Sequence, residues 1–279
     1  MILSFNSITF SPLPIWGNSY DLLECARIIS GLRYSGIEVI AGRPHAWPYD
    51  LKAPEREKLR KELTSLGLEI TAVCPLISPS HNPASLFADE YREAQAYMVQ
   101  CVNLAADLGS PYVIYPAGWV VHGTSAEEAW KRSGETLYKA ARQGEKSGVT
   151  LLIEAIRKIS SNLLWTSKQA VKMMEKIAHP RVKLVMDTFH VWSENEDVEE
   201  VIRLYGRNLR HIHIEDISPS GLERKVPGQG VKDLTKVVSA LKEAGYEGAL
   251  SVEIWGLNPE ELAAQSFHYL SQIVPGADR

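Results

Sequence analysis

Cysteine is scarce: Cys25, Cys74 and Cys101 are the only three, scattered along 279 residues. That excludes a disulfide framework and a zinc knuckle. Long apolar runs are missing as well. The longest nearly apolar stretch, Pro111 to Val121, falls far short of the ~18 residues that span a bilayer. Met1 to Phe10 lacks the basic start and extended apolar run of a secretory signal. Glycine (19) and proline (15) are too few for a low-complexity chain. Excess positive charge is also absent. The net charge of −4 argues against wholesale binding to a phosphate backbone, so neither nucleic acid nor membrane is an expected partner. What remains, 45% hydrophobic and 23% charged residues, is the balance of a soluble, cytoplasmic protein with one core.

Short β-like runs alternate with longer amphipathic stretches from end to end. The runs are 2–6, 36–40, 68–74, 111–115, 149–153, 182–186, 209–214 and 249–254. The intervening stretches are 20–33, 54–66, 89–108, 125–146, 167–178, 198–205, 231–244 and 259–273. They carry apolar residues at helical spacing, as with Leu22, Leu23, Ala26, Ile29 and Leu32. Pro54 suits a first helical turn, and Gly67, Gly109 and Gly245 suit helix ends. Strict alternation predicts an α/β fold with a parallel sheet and helices outside. Eight units in this length predict a (β/α)8 TIM barrel, with 1–279 as a single domain. An open doubly wound sheet would place a Gly-rich phosphate turn after its first strand, and none follows 2–6.

Chemistry in such a barrel sits at the C-terminal ends of the strands. The fifth run leads into Glu154, the sixth into Asp187, the seventh contains His211-Ile212-His213, and the eighth reaches Glu253. Any one acid at a strand end is equally well a solvated loop acid or a helix cap. Four corresponding positions in a row point instead to one site, because carboxylates buried close together without compensation are prohibitively costly. A bound divalent cation removes that cost. Three carboxylates and one imidazole favour Mn2+, with Co2+ or Mg2+ as alternatives, over a thiolate-type zinc site. His211 shares the strand parity of His213 and is an alternative ligand, an outer donor or a packed core histidine.

These residues carry a resemblance. Glu154, Asp187, His213 and Glu253 resemble the metal quartet of the xylose-isomerase-like sugar isomerase/epimerase barrels, in particular the ketose 3-epimerases. Asp187-Thr188-Phe189-His190 is similar to the family's Asp-x-x-His. Arg224 followed by Pro227-Gly228-Gln229-Gly230 resembles its Arg and Pro-Gly-x-Gly segment, and Gly245-Tyr246-Glu247-Gly248 is also typical. Ile37-Glu38, then Gly42-Arg43-Pro44-His45-Ala46 and Asp50-Leu51-Lys52, look like the corresponding stretch of fructoselysine 3-epimerases. The resemblance covers essentially the whole chain. Two positions depart. His190 stands where fructoselysine 3-epimerases lack a histidine, so His190 with Arg224 is the pattern of the simple ketose epimerases; and where the family often has a second glutamate, six residues after the first ligand, this chain has Ser160. That glutamate binds substrate hydroxyls in ketose epimerases.

The resemblance implies a metal-dependent epimerase of ketoses or related keto sugars, in which Glu154 and Glu253 form the acid/base pair and also bind metal. Asp187 and His213 would be ligands only. It also implies a small-molecule sugar substrate and a homo-oligomer, dimer or tetramer. Candidate substrate contacts are His190, Arg224, His81 and the aromatic faces of Trp16, Trp119 and Trp255, which suit the apolar side of a sugar. The tryptophans are equally well packing around the barrel mouth, and His81 reads first as a loop histidine. The same quartet serves sugar isomerases and keto-inositol dehydratases. Apurinic-site endonucleases share the barrel but need more ligands for three zinc ions and a basic DNA face, against which eight histidines and a net charge of −4 weigh.

Overall fold

The computed structural model describes residues 1–11 and 19–276. Eight parallel strands close into a barrel: β1 (Ile2–Asn6), β2 (Gly36–Ala41), β3 (Glu69–Pro75), β4 (Tyr112–Pro116), β5 (Thr150–Glu154), β6 (Val182–Asp187), β7 (Leu209–His213) and β10 (Ala249–Val252). The short strands β8 (Asp216–Ile217) and β9 (Arg224–Lys225) form a separate antiparallel hairpin after β7. The outer layer contains α1 (Leu22–Gly31), α2 (Ala53–Ser65), α3 (Ala88–Leu108), α4 (Ala126–Ser147), α5 (Ser167–Ile177), α7 (Val198–Tyr205), α8 (Leu234–Glu243) and α9 (Pro259–Ile273). A one-and-a-half-turn helix, α6 (Thr188–Ser193), follows β6 directly. No described helix is long and apolar enough to cross a membrane.

Local sequence explains the boundaries. Asp21 and Glu24 form a capping box at the start of α1. Gly109, at φ 76°, ends α3 in the left-handed conformation that glycine adopts without steric cost. Two elements differ from the periodicity. The stretch expected as helix from Val231 begins at Leu234, because the backbone N–H groups of Gly230 and Lys232 donate to the Asp216 carboxylate (2.9 and 3.0 Å) and hold the chain in a loop. Asp233 then caps the helix. The unexpected α6 forms because Asp187 Oδ1 accepts the His190 N–H (3.0 Å), which caps a new helix on the last residue of the strand.

Two apolar assemblies hold the barrel. The larger lies between the strands and the surrounding helices. The smaller fills part of the interior with Ile40, Ala72, Cys74, Ile114, Leu152 and Val185, inward-facing residues of β2 to β6.

Candidate active site and metal centre

Register brings the four strand-end residues together. Glu154 pairs with Val185, two residues before Asp187. Asp187 pairs with His213, and His213 with Ser251, two residues before Glu253. Steps of two preserve strand parity, so all four side chains face the barrel interior, staggered as the strand tilt requires. One donor atom from each of Glu154, Asp187, His213 and Glu253 can be chosen so that all lie within 4.8 Å of one another, and all four residues are buried. His213 Nδ1 stands 3.0 Å from Glu154 Oε1, 3.4 Å from Glu253 Oε2 and 3.7 Å from Asp187 Oδ2.

Glu38, on β2, decides which nitrogen of His213 faces the carboxylates. Its Oε1 lies 3.0 Å from His213 Nε2, and its Oε2 lies 2.7 Å from His211 Nε2. A carboxylate can only accept, so both imidazoles donate their Nε2–H to it, and Nδ1 of His213 is turned into the cluster. There, 3.0 Å from Glu154 Oε1, it too donates in the metal-free protein; a bound cation would take the place of that proton. Carboxylates in this outer position fix tautomer and ring orientation in metal-binding histidines. His211 is therefore placed behind His213. Asn6 joins the same layer, its Nδ2 donating to Glu38 Oε1 (3.1 Å) and Glu253 Oε1 (3.4 Å). Glu38 and Asn6 carry little signal in the sequence, because in 2–6 and 36–41 each has the pattern of the outward residue of an alternating strand.

Charge is concentrated here. Arg224, delivered by β9, places Nη2 at 2.7 Å from Asp187 Oδ2 and 2.9 Å from Glu253 Oε2, and Nη1 at 2.7 Å from Glu215 Oε1. Burial pushes the Asp187 carboxyl up, but Arg224, His190 and His213 outweigh it and hold it well below the usual range. Burial pushes Glu253 up to about 7; His213 and Arg224 oppose this, while Glu154 and Asp187 add to it. Burial, reinforced by Asp187, raises Glu215 well above the usual range. Glu215, whose Oε1 accepts the Phe189 N–H (3.0 Å), had also gone unnoticed in the sequence. Three carboxylates and an imidazole nitrogen aimed among them suit a hard or borderline divalent cation. Glu154, Asp187, His213 and Glu253 are the residues that would hold it.

The cluster forms one wall of a cavity of about 300 Å³ that Glu154, Glu253, His190, Arg224, Trp255 and Ser160 all line. His190 Nε2 is 3.5 Å from Asp187 Oδ2, and its Nδ1 is buried without a hydrogen-bond partner. Burial lowers the His190 imidazole to about 4. The Arg224 guanidinium lies over the rings of Phe189 (4.6 Å) and Trp255 (4.8 Å). The other candidates lie elsewhere. His81 packs against Trp47 and Tyr97 and bonds Ser78 (2.8 Å), and it does not line this cavity. Trp119 also stands outside the lining; its backbone is tied to Asn82. Trp16 falls outside the described residues. His45 is buried against Ser7 Oγ (3.1 Å) and the Tyr20 carbonyl (3.2 Å), where it braces the loop after β2.

Comparison with known proteins agrees with this fold. The chain is 24% identical over 258 residues to a fructoselysine 3-epimerase of Shigella flexneri, covering 91% of this chain and 93% of that protein. It is 30% identical over 247 residues to an L-ribulose 3-epimerase of Mesorhizobium japonicum, covering 86% and 78%. Its fold superimposes on a D-psicose 3-epimerase crystallised with D-fructose at a TM-score of 0.83, with 18% identity and coverage of 99% and 100%. An L-ribulose 3-epimerase structure gives a TM-score of 0.81 at 22% identity, covering 100% and 96%. The pattern of the xylose isomerase-like TIM barrel family matches residues 27–273, and the chain belongs to that family.

Proposed function

We propose that this protein is a divalent-metal-dependent epimerase of ketoses or related keto sugars that inverts C3, the carbon beside the carbonyl. One observation carries the reading: Glu154 and Glu253 both line the cavity and both belong to the four-donor cluster. Held by that cluster, Mn2+ (or Co2+ or Mg2+) supplies charge stabilisation to the substrate's carbonyl oxygen.

The chain's own residues do the rest. Glu154 and Glu253 come from β5 and β10, which flank β6 and β7 in the barrel order. The two carboxylates thus approach the bound carbon from two sides. One takes the C3 proton, and the other returns a proton to the opposite face. His190 and Arg224 hold oxygens near C1 by donation. Phe189 and Trp255 supply the apolar wall.

Incubation with Mn2+ and a panel of ketoses and fructosamines in D2O tests the reading. Deuterium should enter at C3, and a second epimer should appear one mass unit heavier than the starting sugar, with no water lost. Absence of exchange with every sugar sinks it, and loss of water would replace it with dehydration.

A further inference from the structure

The rim of the cavity carries a cation that the proposed epimerisation does not use. Arg157 lies three residues beyond β5. Its carbonyl accepts the N–H groups of Ser160 and Ser161 (2.9 and 3.0 Å), which closes the loop on itself. Its Nε donates to Ser160 Oγ (3.1 Å), its Nη1 donates to the Leu222 carbonyl (2.9 Å), and its guanidinium lies over the Phe189 ring at 4.5 Å. These contacts fix the group without neutralising it: among the described residues it has no carboxylate partner.

Arg224 lies over the same ring at 4.6 Å and has three carboxylates. Phe189 is thus in contact with two guanidinium groups, one compensated and one not. Arg157 faces both the cavity and an adjoining hollow of about 390 Å³ walled by Lys158, Ser193 and Leu222. Glu194 sits on that wall with its Oε1 engaged by the Lys158 N–H (2.8 Å). Ser160, on the cavity lining, accepts from this guanidinium, so its hydroxyl helps to hold the positive charge in place.

We propose that Arg157 is a specificity-determining residue that binds an oxyanion, carboxylate or phosphate, at the far end of an elongated keto sugar. This rests on the epimerase reading, with the reacting carbon at Glu154 and Glu253 and the anion in the adjoining hollow. A guanidinium has five N–H donors, and two are used. The remainder can meet an oxyanion in a charge-assisted pair, which a neutral hydroxyl cannot match. Burial and then Arg224 weaken proton retention by Arg157, the more distant carboxylates of Asp187 and Glu194 oppose them, and a bound anion would add to that opposition.

Calorimetry in the presence of Mn2+ tests this without relying on turnover. Fructose 6-phosphate or fructosylglycine should bind at least about tenfold more tightly than fructose. Arg157→Gln should remove a factor of about ten to a hundred from that preference. Arg157→Lys, which keeps the charge but not the fork, should retain part of it and guards against a folding defect in the first variant. The favoured arm, phosphate or carboxylate, identifies the anion. Equal binding of the three sugars by the unmodified protein, or a preference that survives Arg157→Gln, overturns the assignment. Deuterium exchange on the same complexes is read separately: a sugar bound but not exchanged removes the epimerase reading and leaves the oxyanion site standing.

Discussion

The barrel interior is split lengthwise. On the β2 to β6 side it is plugged by Ile40, Ala72, Cys74, Ile114, Leu152 and Val185. On the β7, β10 and β1 side the inward residues are polar: His211, His213, Ser251, Ser4 and Asn6, all fully buried. The apolar side packs by volume and is indifferent to charge. The polar side is held by specific pairs, and a lost partner there leaves a buried group unsatisfied. The site forms at the top of the seam, where Glu154 and Asp187 cap apolar strands and His213 and Glu253 cap polar ones. Substitutions should therefore separate into those that remove chemistry and those that remove stability.

The largest effect belongs to the acid/base pair. Glu154→Gln and Glu253→Gln keep shape and one accepting oxygen but cannot take a proton. Each should lower C3 exchange by about 10²–10⁴, the usual range for a general acid or base, while the thermal midpoint of the metal-free protein does not fall. Retention of more than a tenth of the activity in either variant would remove that residue from the pair.

The apolar side predicts the opposite. Ile114 is fully buried in the interior plug. Ile114→Ala should cost about 2–5 kcal/mol through lost transfer energy and the cavity left behind, read as a urea midpoint. Mn2+ affinity of the protein that remains folded should stay within a few-fold. A collapse of metal affinity in step with stability would show that the two sides are not separable.

This split also governs what could be read from the sequence. Apolar runs at regular intervals expose the barrel directly, because both faces of a parallel strand are buried and the pattern is nearly continuous. The quartet was legible for the same reason: each member breaks an apolar run at its end. Glu38 and Asn6 were not: Glu38 lies inside its strand and Asn6 alternates with Ser4, so each has the pattern of an outward-facing residue, and only the register between strands turns it inward. Glu215 lies beyond its strand and depends on α6, which begins at a cap the periodicity does not reveal. His81 and Trp119 follow strands in the sequence, but loop geometry turns them to other partners.

Two buried histidines on either side of the seam sharpen the comparison through pH. Burial lowers His45 to about 4, with the Tyr20 carbonyl and Asp21 opposing. Burial also lowers His213, but Glu38 and Glu253 outweigh it and raise the imidazole well above its ordinary value. A depressed histidine contributes stability that is fully present above its unfolded pKa, near 6.5, and is lost as pH falls toward 4. His45 should thus contribute at most about 3 kcal/mol to the loss between pH 7 and pH 4 in metal-free protein. His45→Gln should flatten that part of the urea-midpoint profile. Shifts at Glu253 and His190 are common to both proteins and cancel in the difference. An unchanged slope would mean that His45 is protonated in the fold.

Glu38 crosses the divide, and its replacement tests whether the seam is held by that one carboxylate. It accepts from His211 Nε2 and His213 Nε2 at once. In Glu38→Gln the side chain can accept from only one imidazole and must present N–H to the other. If the amide faces His213, that ring must carry its proton on Nδ1, where it points at Glu154 and blocks metal ligation. If the oxygen faces His213, His211 is forced into the other tautomer instead. The expected result is a partial loss, about 10–100-fold in Mn2+ affinity, measured by titration calorimetry on chelator-stripped protein. Exchange at saturating Mn2+ should recover most of the original rate, because Glu38 positions a ligand and does not line the cavity. Unchanged affinity would show that His213 is oriented by its other neighbours. Loss of exchange that saturating metal does not restore would place Glu38 in the chemistry itself.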